Sequence, residues 1–395
     1  MEVRKLYYED CHLNVFTAAV TSCRETEKGF LICLDATAFY PEGGGQACDL
    51  GTLGDARVLD VQESGDQIMH LCDKALPVGE EVTGRIDWER RFDLMQQHTG
   101  EHIVSGIIHE MFGCHNVGFH MGADVITIDF DAPIPQEALA QIEKRANQAV
   151  FRNLPVQCWY PAPDELPNVT YRTKRALPWP VRIVRIPEYD SCACCGVHVA
   201  FTGEIGIIKL FSCVKFHQGV RLEMACGARA LDILTRVYEQ NRLVSQAFSA
   251  KLMETGAAAQ RMNEALAAEK SRAIGLERQL FDTIATGFAD RGDVAYFDAA
   301  LTPAAVRELA ERIAQCCGGT AAVFSGSDET GYSVCLVNKT APVAELGKAL
   351  IESLSGRGGG KPGFFQGSVR VTRDQIGAFL QKKQPAFVFS VNSIR

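Results

Sequence analysis

Two pairs of residues in this chain have the types and the spacing that hold a metal ion. His98 and His102 lie four positions apart in a segment with helical periodicity, so both imidazoles face one side of the predicted helix. Cys194 and His198 have C-x-x-x-H spacing ahead of a predicted strand, and Gly196 between them allows a tight turn. Three imidazoles and one thiolate suit Zn²⁺. The two pairs together therefore predict a zinc site.

Three cysteines compete for the place of the thiol ligand, because Cys192, Cys194 and Cys195 are crowded together. Cys194 is favoured only by its spacing from His198. A structural role without a metal is the alternative for this cluster. The chain has 15 Cys in 395 residues and no apolar secretory segment at its start, so we expect reduced thiols or metal ligands rather than a disulfide framework.

The segment from His98 to His102 also fits the H-x-x-E-H pattern of a class of zinc proteases. In that hypothesis Glu101 is the general base. Such proteases commonly take an acidic third ligand, whereas the downstream partners in this sequence are Cys and His, so the protease is the weaker hypothesis. Otherwise Glu101 is expected to hydrogen-bond a metal-bound histidine.

The elements that must position these residues follow from the hydrophobic periodicity. Residues 1–90 contain short apolar runs separated by turn signals, which predicts a β-barrel or sandwich. Residues 91–226 combine helical and alternating patterns, which predicts an α+β domain whose first helix ends at Gly113. Residues 227–285 carry a long helical apolar stripe, and residues 286–395 have the pattern of a separate α/β unit.

The composition is that of a globular protein, with 47% hydrophobic and 22% charged residues. No apolar run reaches the length of about 18 residues that a membrane span needs, so we predict a cytoplasmic protein. The net charge of -8 by itself argues against a nucleic-acid partner. The charge is segregated, however, because residues 356–395 carry a net charge of +6 and residues 1–355 carry -14.

Four segments taken together resemble one family. They are TAFYPEGGGQACDLG at 37–51, MQQHTGEHI at 95–103, CCGVHVAFTGEIG at 194–206 and GRGGGKPGFFQGS at 356–368. Their order and spacing are similar to the editing half of alanyl-tRNA synthetase, and the whole chain resembles the long form of the AlaX-type alanyl-tRNA trans-editing proteins. The resemblance implies a multi-domain α+β fold with an N-terminal β-barrel (1–90), a zinc-containing editing domain (91–226), a coiled-coil-like helical segment (227–285) and a C-terminal DHH-associated α/β domain (286–395).

The same resemblance implies a hydrolase that deacylates mischarged Ser-tRNA(Ala), with Gly-tRNA(Ala) as a further substrate, and so maintains translational fidelity. It assigns one Zn²⁺ per chain to His98, His102, Cys194 and His198. A site with four protein ligands is closed, as structural zinc sites usually are. The sequence therefore does not decide whether the ion is catalytic or structural. The alternatives are a non-catalytic tRNA-binding protein with a structural zinc and the H-x-x-E-H metalloprotease.

Three polar side chains of these motifs are expected to act on the substrate. By resemblance, Thr37 reads the serine hydroxyl, and Gln46 and Gln97 orient the substrate or a water molecule. A site that hydrogen-bonds this hydroxyl can select serine strongly, because alanine would leave buried polar groups unpaired. The structural alternative for each residue is a turn or a supporting hydrogen bond.

Three consecutive glycines, Gly43, Gly44 and Gly45, could let backbone N–H groups approach the 3′-terminal adenosine or its phosphate. The alternative is an irregular turn. The common C-G-G-T-H motif of the family is altered here, because Cys195 replaces Gly and Val197 replaces Thr. Zinc ligation survives both changes, but any hydroxyl contact made by that Thr is lost, which leaves the preference for serine over glycine open.

The Gly-rich segment near the C-terminus is predicted to be an RNA-binding loop. Arg357 and Lys361 suit contact with phosphate, and Phe364 and Phe365 suit contact with an unstacked base. A solvated basic face is the alternative. The loop lacks the P-loop pattern, and the chain has no room for an adenylate-forming domain, so neither ATP binding nor ligase activity is expected.

The helical segment at 227–285 cannot bury its apolar stripe alone. We therefore predict that it mediates self-association into a homodimer. Spacing the editing domain from the C-terminal domain is a second role that is compatible with the first.

Overall fold

The structure is a computed structural model that describes residues 3–173 and 180–392. The chain divides into two compact units, Met1–Gln246 and Ala247–Arg395. Both units contain helices and strands, in agreement with the α+β class. The finer division into four domains remains a prediction. In the described part of the chain, no helix combines the length and the apolar character that crossing a membrane requires.

The first unit begins with a barrel and three short accompanying elements. Their bounds are β1 (Arg4–Lys5), α1 (Leu6–Glu9), β2 (Val15–Thr26), β3 (Gly29–Leu34), β4 (Ala36–Thr37), β5 (Gly51–Leu53), β6 (Ala56–Ser64), β7 (Gln67–Cys72) and β8 (Glu81–Ile86). Six antiparallel strands close in the order β2-β3-β7-β6-β5-β8, while β1 and β4 pair in parallel. Every second residue of β8 is buried, as expected for a strand with one face on a core. Closure leaves no unpaired edge among these six strands.

Residues 88–226 of the first unit combine two helices with two antiparallel sheets. The bounds are α2 (Trp88–Phe112), β9 (Asn116–Met121), β10 (Ile126–Phe130), α3 (Leu139–Arg152), β11 (Gln157–Trp159), β12 (Ile183–Ile186), β13 (Asp190–Ala193), β14 (Ile208–Phe216) and β15 (Gly219–Cys226). One sheet has the order β14-β15-β10-β9 and the other β11-β12-β13. Three single 3₁₀ turns, at Gln136–Ala138, Leu166–Asn168 and Thr202–Ile205, complete the connections.

Helix α2 is the central element of the first unit. The Asp87 side chain accepts a hydrogen bond from the Arg90 amide at its N-terminus, and Gly113 ends it in the left-handed conformation with φ of 69°. The predicted C-terminal glycine is thus confirmed. All residues from 94 to 108 are buried, so polar and apolar faces alike lie inside the protein. The polar side chains of α2 must therefore find partners within the fold.

The barrel and the following helices and sheets share one hydrophobic core. Leu53 and Val61 of the barrel, Ile103 and Ile107 of α2, and Leu222 of β15 all belong to the same cluster of buried side chains. The two predicted domains at 1–90 and 91–226 therefore pack as one body, without a solvated boundary between their cores.

The predicted helical segment forms two helices, α4 (Gly227–Ala247) and α5 (Thr255–Thr286), separated by a 3₁₀ turn at Leu252–Glu254. Both helices expose apolar side chains. The buried residues of α5 are Ala258 near its start and Phe281 and Ala285 near its end, and those of α4 are Gly227 and Ala230 at its start. The large apolar side chains that are at least about two-fifths exposed are Leu231, Val237, Tyr238, Leu243 and Val244 on α4 and Met262, Leu266, Ile274, Leu276 and Leu280 on α5.

The second unit is completed by a six-stranded mixed sheet with helices on both faces. The bounds are β16 (Gly292–Asp298), α6 (Pro303–Cys316), β17 (Gly318–Ser327), β18 (Gly331–Val337), α7 (Ala344–Ser353), β19 (Arg357–Lys361), β20 (Phe364–Val369), α8 (Arg373–Lys383) and β21 (Val388–Val391). The strand order is β19-β20-β18-β17-β16-β21. Alternate residues of β16 point to opposite faces, with Val294 in the cluster under α6 and Ala295 in the cluster under α7 and α8.

The Gly-rich segment is a strand and not the predicted loop. Residues Arg357–Lys361 form β19, which pairs with β20 in register from Arg357 opposite Ser368 to Lys361 opposite Phe364. Every residue of β19 is exposed. An edge strand tolerates glycine better than a central strand because one side of it faces solvent.

Candidate metal centre

Four side chains predicted as ligands converge at one point inside the first unit. The ligand atoms of His98, His102, Cys194 and His198 all lie within 4.8 Å of one another. The Cys194 Sγ atom is 3.4 Å from His98 Nε2. Helix α2 supplies two of the imidazoles on successive turns, and the segment after β13 supplies the other two ligands. Imidazole nitrogens and a thiolate sulfur are donors that tetrahedral zinc sites use.

Each of the three imidazoles uses its Nδ1 atom in a hydrogen bond with a buried partner. The pairs are His98 with Gln46 Oε1 at 2.9 Å, His102 with Asp190 Oδ2 at 2.8 Å and His198 with Thr99 Oγ1 at 3.4 Å. All three partners act as acceptors, since the Thr99 hydroxyl donates its own hydrogen to the Met95 carbonyl at 2.7 Å. The hydrogen of a neutral ring is then on Nδ1, which leaves the Nε2 lone pair for a metal.

The His198 Nε2 atom supports this interpretation. It is buried and, within the described residues, makes no hydrogen bond. Buried polar atoms in native proteins almost always have a partner, so an unpaired imidazole nitrogen beside a thiol and two further imidazoles fits a metal ligand. The residues present therefore fit a zinc ion.

The neighbouring side chains of the cluster change one another's pKa values. Burial acts to raise the pKa of the Cys194 thiol, but the neighbouring His98, His102 and His198 outweigh it and hold this pKa well below its usual value. Burial together with the nearby His98 lowers the pKa of His198. For His102, burial acts in the same direction, but hydrogen bonds with Asp190 and Cys194 raise its pKa well above the usual value. The thiolate form that a metal requires is thus favoured at Cys194.

A close approach of backbone and ring explains Gly196. A Cβ atom at this position would lie 2.1 Å from Cε1 of His98, so no other residue fits without moving the imidazole. Gly196 stands in a bend without positive φ, so glycine is required there by the close approach of the ring and not by the backbone conformation. Arg182 fixes the same loop, because its Nη1 atom donates to the carbonyls of Cys194 at 3.0 Å and of Gly196 at 2.8 Å.

The three glycines form a tight turn that carries Gln46. Gly43 and Gln46 exchange two backbone hydrogen bonds at 2.9 and 3.0 Å, and Gly44 and Gly45 have φ of 62° and 87°. This left-handed pair favours glycine. The glycines thus bring the Gln46 side chain to the ring of His98. Contact of Gly43, Gly44 and Gly45 with the 3′ end of an RNA remains a prediction.

The two polar atoms of the Gln46 amide differ in their hydrogen bonding. Its Oε1 atom accepts from the His98 ring and also from the backbone N–H of Val197 at 3.3 Å. Its Nε2 atom is buried and has no hydrogen-bond partner among the described residues. The amide can therefore donate to a group that enters the site beside His98.

Thr37 of β4 is fully buried and is already hydrogen-bonded. Its Oγ1 atom lies 2.9 Å from Nε2 of His70 and accepts from the Phe39 amide at 3.1 Å. His70 was not singled out from the sequence. The expected contact of Thr37 with a substrate hydroxyl remains a prediction.

Gln97 and Glu101 have partners outside the four-ligand cluster. Gln97 donates from Nε2 to Asp93 and to the Cys226 carbonyl, both at 2.9 Å, and accepts from the Cys226 amide at 2.8 Å. This pattern corresponds to the supporting role that was the alternative for Gln97. Glu101 accepts from Ser105 Oγ and Asn116 Nδ2, both at 2.5 Å, instead of from one of the three histidines of the cluster.

The predicted RNA-binding residues lie in the second unit and are not all on one surface. Arg357 and Lys361 are exposed at the two ends of β19. Phe364 is partly buried under the guanidinium of Arg307, which lies 5.1 Å from the ring centre. Phe365 is fully buried in the core, so its ring is not available to stack on a base in this structure.

The supporting residues of the site could not be identified from the sequence. Asp190, Thr99 and Arg182 have no fixed spacing from the ligands that they contact. Asp190 stands in the same short segment as the cysteine cluster, and this proximity is the only sequence signal for it.

Three family models match parts of the chain. They are tRNA synthetases class II (A) at residues 4–90, the threonyl and alanyl tRNA synthetase second additional domain at 181–222, and the DHHA1 domain at 291–386. A solved structure, the C-Ala domain from Aquifex aeolicus alanyl-tRNA synthetase, covers 23% of this chain and 91% of its own length at 19% identity, with a TM-score of 0.21, which is too low to establish a common fold.

Relatives with known names match almost the full length of the chain. The alanyl-tRNA editing protein Aarsd1 of Mus musculus is 30% identical over 92% of this chain and 93% of its own length. The protein with the same name in Rattus norvegicus is 30% identical over 95% and 97%. An alanine–tRNA ligase of Thermofilum pendens is 32% identical over 94% of this chain but only 42% of its own length. The matches confirm the resemblance seen in the motifs, and the chain belongs to the alanyl-tRNA editing proteins, with the domain content of the long AlaX form.

Proposed function

We propose that this protein hydrolyses the ester bond of mischarged tRNA(Ala), with seryl ester as the main substrate and glycyl ester as the second. The observation that carries the proposal is the convergence of His98, His102, Cys194 and His198 beside the free amide of Gln46. The names of the full-length relatives support the same substrate class.

The side chains present can supply what hydrolysis of an aminoacyl ester needs. Such an ester is already activated, so a positioned water molecule and stabilisation of the developing oxyanion are sufficient. A zinc ion held by the four ligands would supply positive charge near the ester carbonyl. Gln46 Nε2 is a donor for the oxygen on which negative charge develops. Its orientation is fixed because Oε1 is held by His98 and Val197.

Selection between amino acids is the role proposed for Thr37. A hydroxyl on the substrate can donate to Thr37 Oγ1, whereas glycine and alanine cannot. Val197 is almost completely buried and contributes its backbone N–H to Gln46, so its apolar side chain offers no hydrogen bond to the substrate. Serine selection therefore depends on Thr37 rather than on position 197.

We further propose that the second unit holds the body of the tRNA and that the protein is a homodimer. Arg357 and Lys361 are exposed on an edge strand, where their charges can reach phosphates. The apolar side chains exposed on α4 and α5 are of the kind that a partner helix buries. A cytoplasmic location is proposed from the sequence alone.

The test is deacylation of Ser-, Gly- and Ala-tRNA(Ala) by the wild-type protein and by His98→Ala. We expect the wild type to hydrolyse the seryl ester fastest and to spare the alanyl ester, and His98→Ala to lose at least about 100-fold in rate. The control is His109→Ala, because His109 is on the same helix but bonds the Cys114 carbonyl at 3.2 Å. Equal, slow decay of all three esters with zinc still bound would reject the proposal in favour of a tRNA-binding protein with structural zinc.

A further inference from the structure

A buried hydrogen-bond chain connects Ile32 and His70 of the barrel with Thr37 of β4. The Ile32 carbonyl oxygen lies 3.0 Å from His70 Nδ1, and His70 Nε2 lies 2.9 Å from Thr37 Oγ1. Neither His70 nor Thr37 is exposed to solvent. The ring of Phe39 packs edge-on against His70 at 5.6 Å between centroids, so the imidazole has little freedom to turn.

The position of every hydrogen in this chain follows from the partners. A carbonyl only accepts, so the hydrogen of His70 must be on Nδ1. Burial lowers the pKa of His70 to about 4, which keeps the ring neutral at physiological pH and leaves Nε2 as an acceptor. The Thr37 hydroxyl must then donate its single hydrogen to Nε2.

This arrangement restricts what Thr37 can do for a substrate. Oγ1 already accepts from the Phe39 amide, so one lone pair remains and no hydrogen is available. A third group that meets Oγ1 must therefore be a hydrogen-bond donor. A preorganised acceptor discriminates better than a hydroxyl that rotates to suit either kind of partner.

We propose that His70 is a positioning residue for amino-acid selection, because it holds the Thr37 hydroxyl as an acceptor for a substrate hydroxyl. This inference rests on the proposed function, in which Thr37 reads the serine side chain. The class of ester selected is then one whose amino acid carries a hydroxyl donor, and the glycyl ester is the weaker substrate because it leaves the lone pair unmet.

Two substitutions of His70 test the Nδ1 and Nε2 atoms of the imidazole separately. In His70→Asn, the amide can still donate to the Ile32 carbonyl, but nothing reaches the place of Nε2. In His70→Gln, the longer side chain places an amide near the position of Nε2, and its carbonyl oxygen can accept from Thr37. Thr37→Val removes the hydroxyl with little change in volume, so it defines the full effect of losing the contact.

The experiment measures kcat/KM for Ser-tRNA(Ala) and Gly-tRNA(Ala) and compares their ratio among variants. We expect His70→Asn and Thr37→Val each to lower the ratio about tenfold, the factor of one ordinary hydrogen bond. The double variant should show no further loss, because both changes remove one interaction. His70→Gln should retain most of the ratio. In His70→Asn and His70→Gln, zinc content and the rate on the glycyl ester should stay close to wild type, which a general loss of structure would not allow.

This experiment gives different results depending on which of the two proposals is wrong. A wild-type protein that hydrolyses neither ester, or both equally, overturns the proposed function and this inference together. A wild-type preference for serine that survives His70→Asn, or that falls additively in the double variant, overturns the inference alone. If His70→Asn does not fold, His70→Gln decides: a serine preference that falls as far in His70→Gln as in Thr37→Val, although the glutamine supplies an acceptor for Thr37, rejects the role of His70.

Discussion

Asp190 accepts a hydrogen bond from His102 at 2.8 Å between Oδ2 and Nδ1, although 88 positions separate the two residues along the chain. The other carboxylate oxygen, Oδ1, accepts from Arg172 Nε at 2.7 Å. Both side chains of the first pair are at most 3% exposed. The carboxylate therefore sets the direction in which the His102 ring faces and joins strand β13 to helix α2.

Replacing this carboxylate should weaken metal binding. We expect Asp190→Asn to lower zinc affinity by about 10- to 100-fold, since partners that orient a ligand have effects of this size. Competition with a chromophoric chelator measures the change. Asp129→Asn is the matched control, because Asp129 is paired with Arg221 instead of with a ligand. Equal zinc affinity of Asp190→Asn and wild type would contradict the prediction.

A single methyl group at position 196 should displace His98. In Gly196→Ala the added Cβ would meet the imidazole at 2.1 Å, so the ring must move away from the other three ligands. We expect bound zinc to fall well below one ion per chain and deacylation to drop by about 100-fold or more. Metal analysis of the purified variant checks this. Gly256→Ala serves as the control, since nothing lies within 4 Å of a Cβ there; a normal zinc content in Gly196→Ala would refute the argument.

The amide of Gln46 should matter for rate more than for metal binding. Gln46→Glu keeps an oxygen for the His98 Nδ1–H but removes the free N–H donors. We expect kcat to fall about 100-fold, as for the loss of one oxyanion donor, while zinc remains bound. Single-turnover deacylation with parallel metal analysis separates the two effects. Gln67→Glu, on the exposed surface of the barrel, should behave as wild type, and a fast Gln46→Glu would remove Gln46 from the mechanism.

The buried His70 should make stability depend on pH. Its folded-state pKa of about 4 is below the unfolded value of 6.5, so between these values the unfolded chain binds a proton that the folded chain does not. Stability from this residue is therefore complete above pH 6.5 and decreases as pH falls towards 4, by at most about 3 kcal/mol. Urea denaturation of wild type and His70→Gln should show a difference in unfolding free energy that changes over this window. A difference that is constant with pH would contradict the assignment.

The exposed cations of β19 should contribute to tRNA affinity through phosphates. In the double variant Arg357→Gln/Lys361→Gln, we expect weaker tRNA(Ala) binding and a slope of log affinity against log salt that is smaller by about 1 to 2. Filter binding at several salt concentrations measures the slope. Lys339→Gln, an exposed lysine of the same unit, is the control. An unchanged slope in the double variant would place the RNA elsewhere.

The convergence of His98, His102, Cys194 and His198 could be predicted from the sequence, because i,i+4 and C-x-x-x-H spacings are local and survive in any fold that brings the two segments together. Their role as metal ligands stays a prediction. It could not identify Asp190 or Thr99, since their contacts with His102 and His198 depend on how β13 and α2 pack. Gln97 was adjacent to a ligand in the chain, but the neighbouring position on a fully buried helix faces a different part of the core.

The Gly-rich segment near the C-terminus was predicted as a loop from its composition, and the structure shows a strand. A run of glycines ordinarily indicates a loop, because glycine is depleted in strands. Here Gly358, Gly359 and Gly360 form an exposed edge, which the pairing with β20 holds in place. Alternation along β20 then turns Phe365 into the core, so the aromatic residue beside the basic ones has a packing role.

The continuous core beneath the barrel and α2 means that neither half is an independent module. Gln46 follows strand β4 and His98 lies on helix α2. Their 2.9 Å hydrogen bond therefore forms only when the barrel and the helix are both folded. A fragment cut near residue 90 would lose this hydrogen bond together with the shared core. The contact of Gln46 with His98 is thus absent from a nascent or partly unfolded chain, and the four-residue cluster gains its amide neighbour only at the last stage of folding.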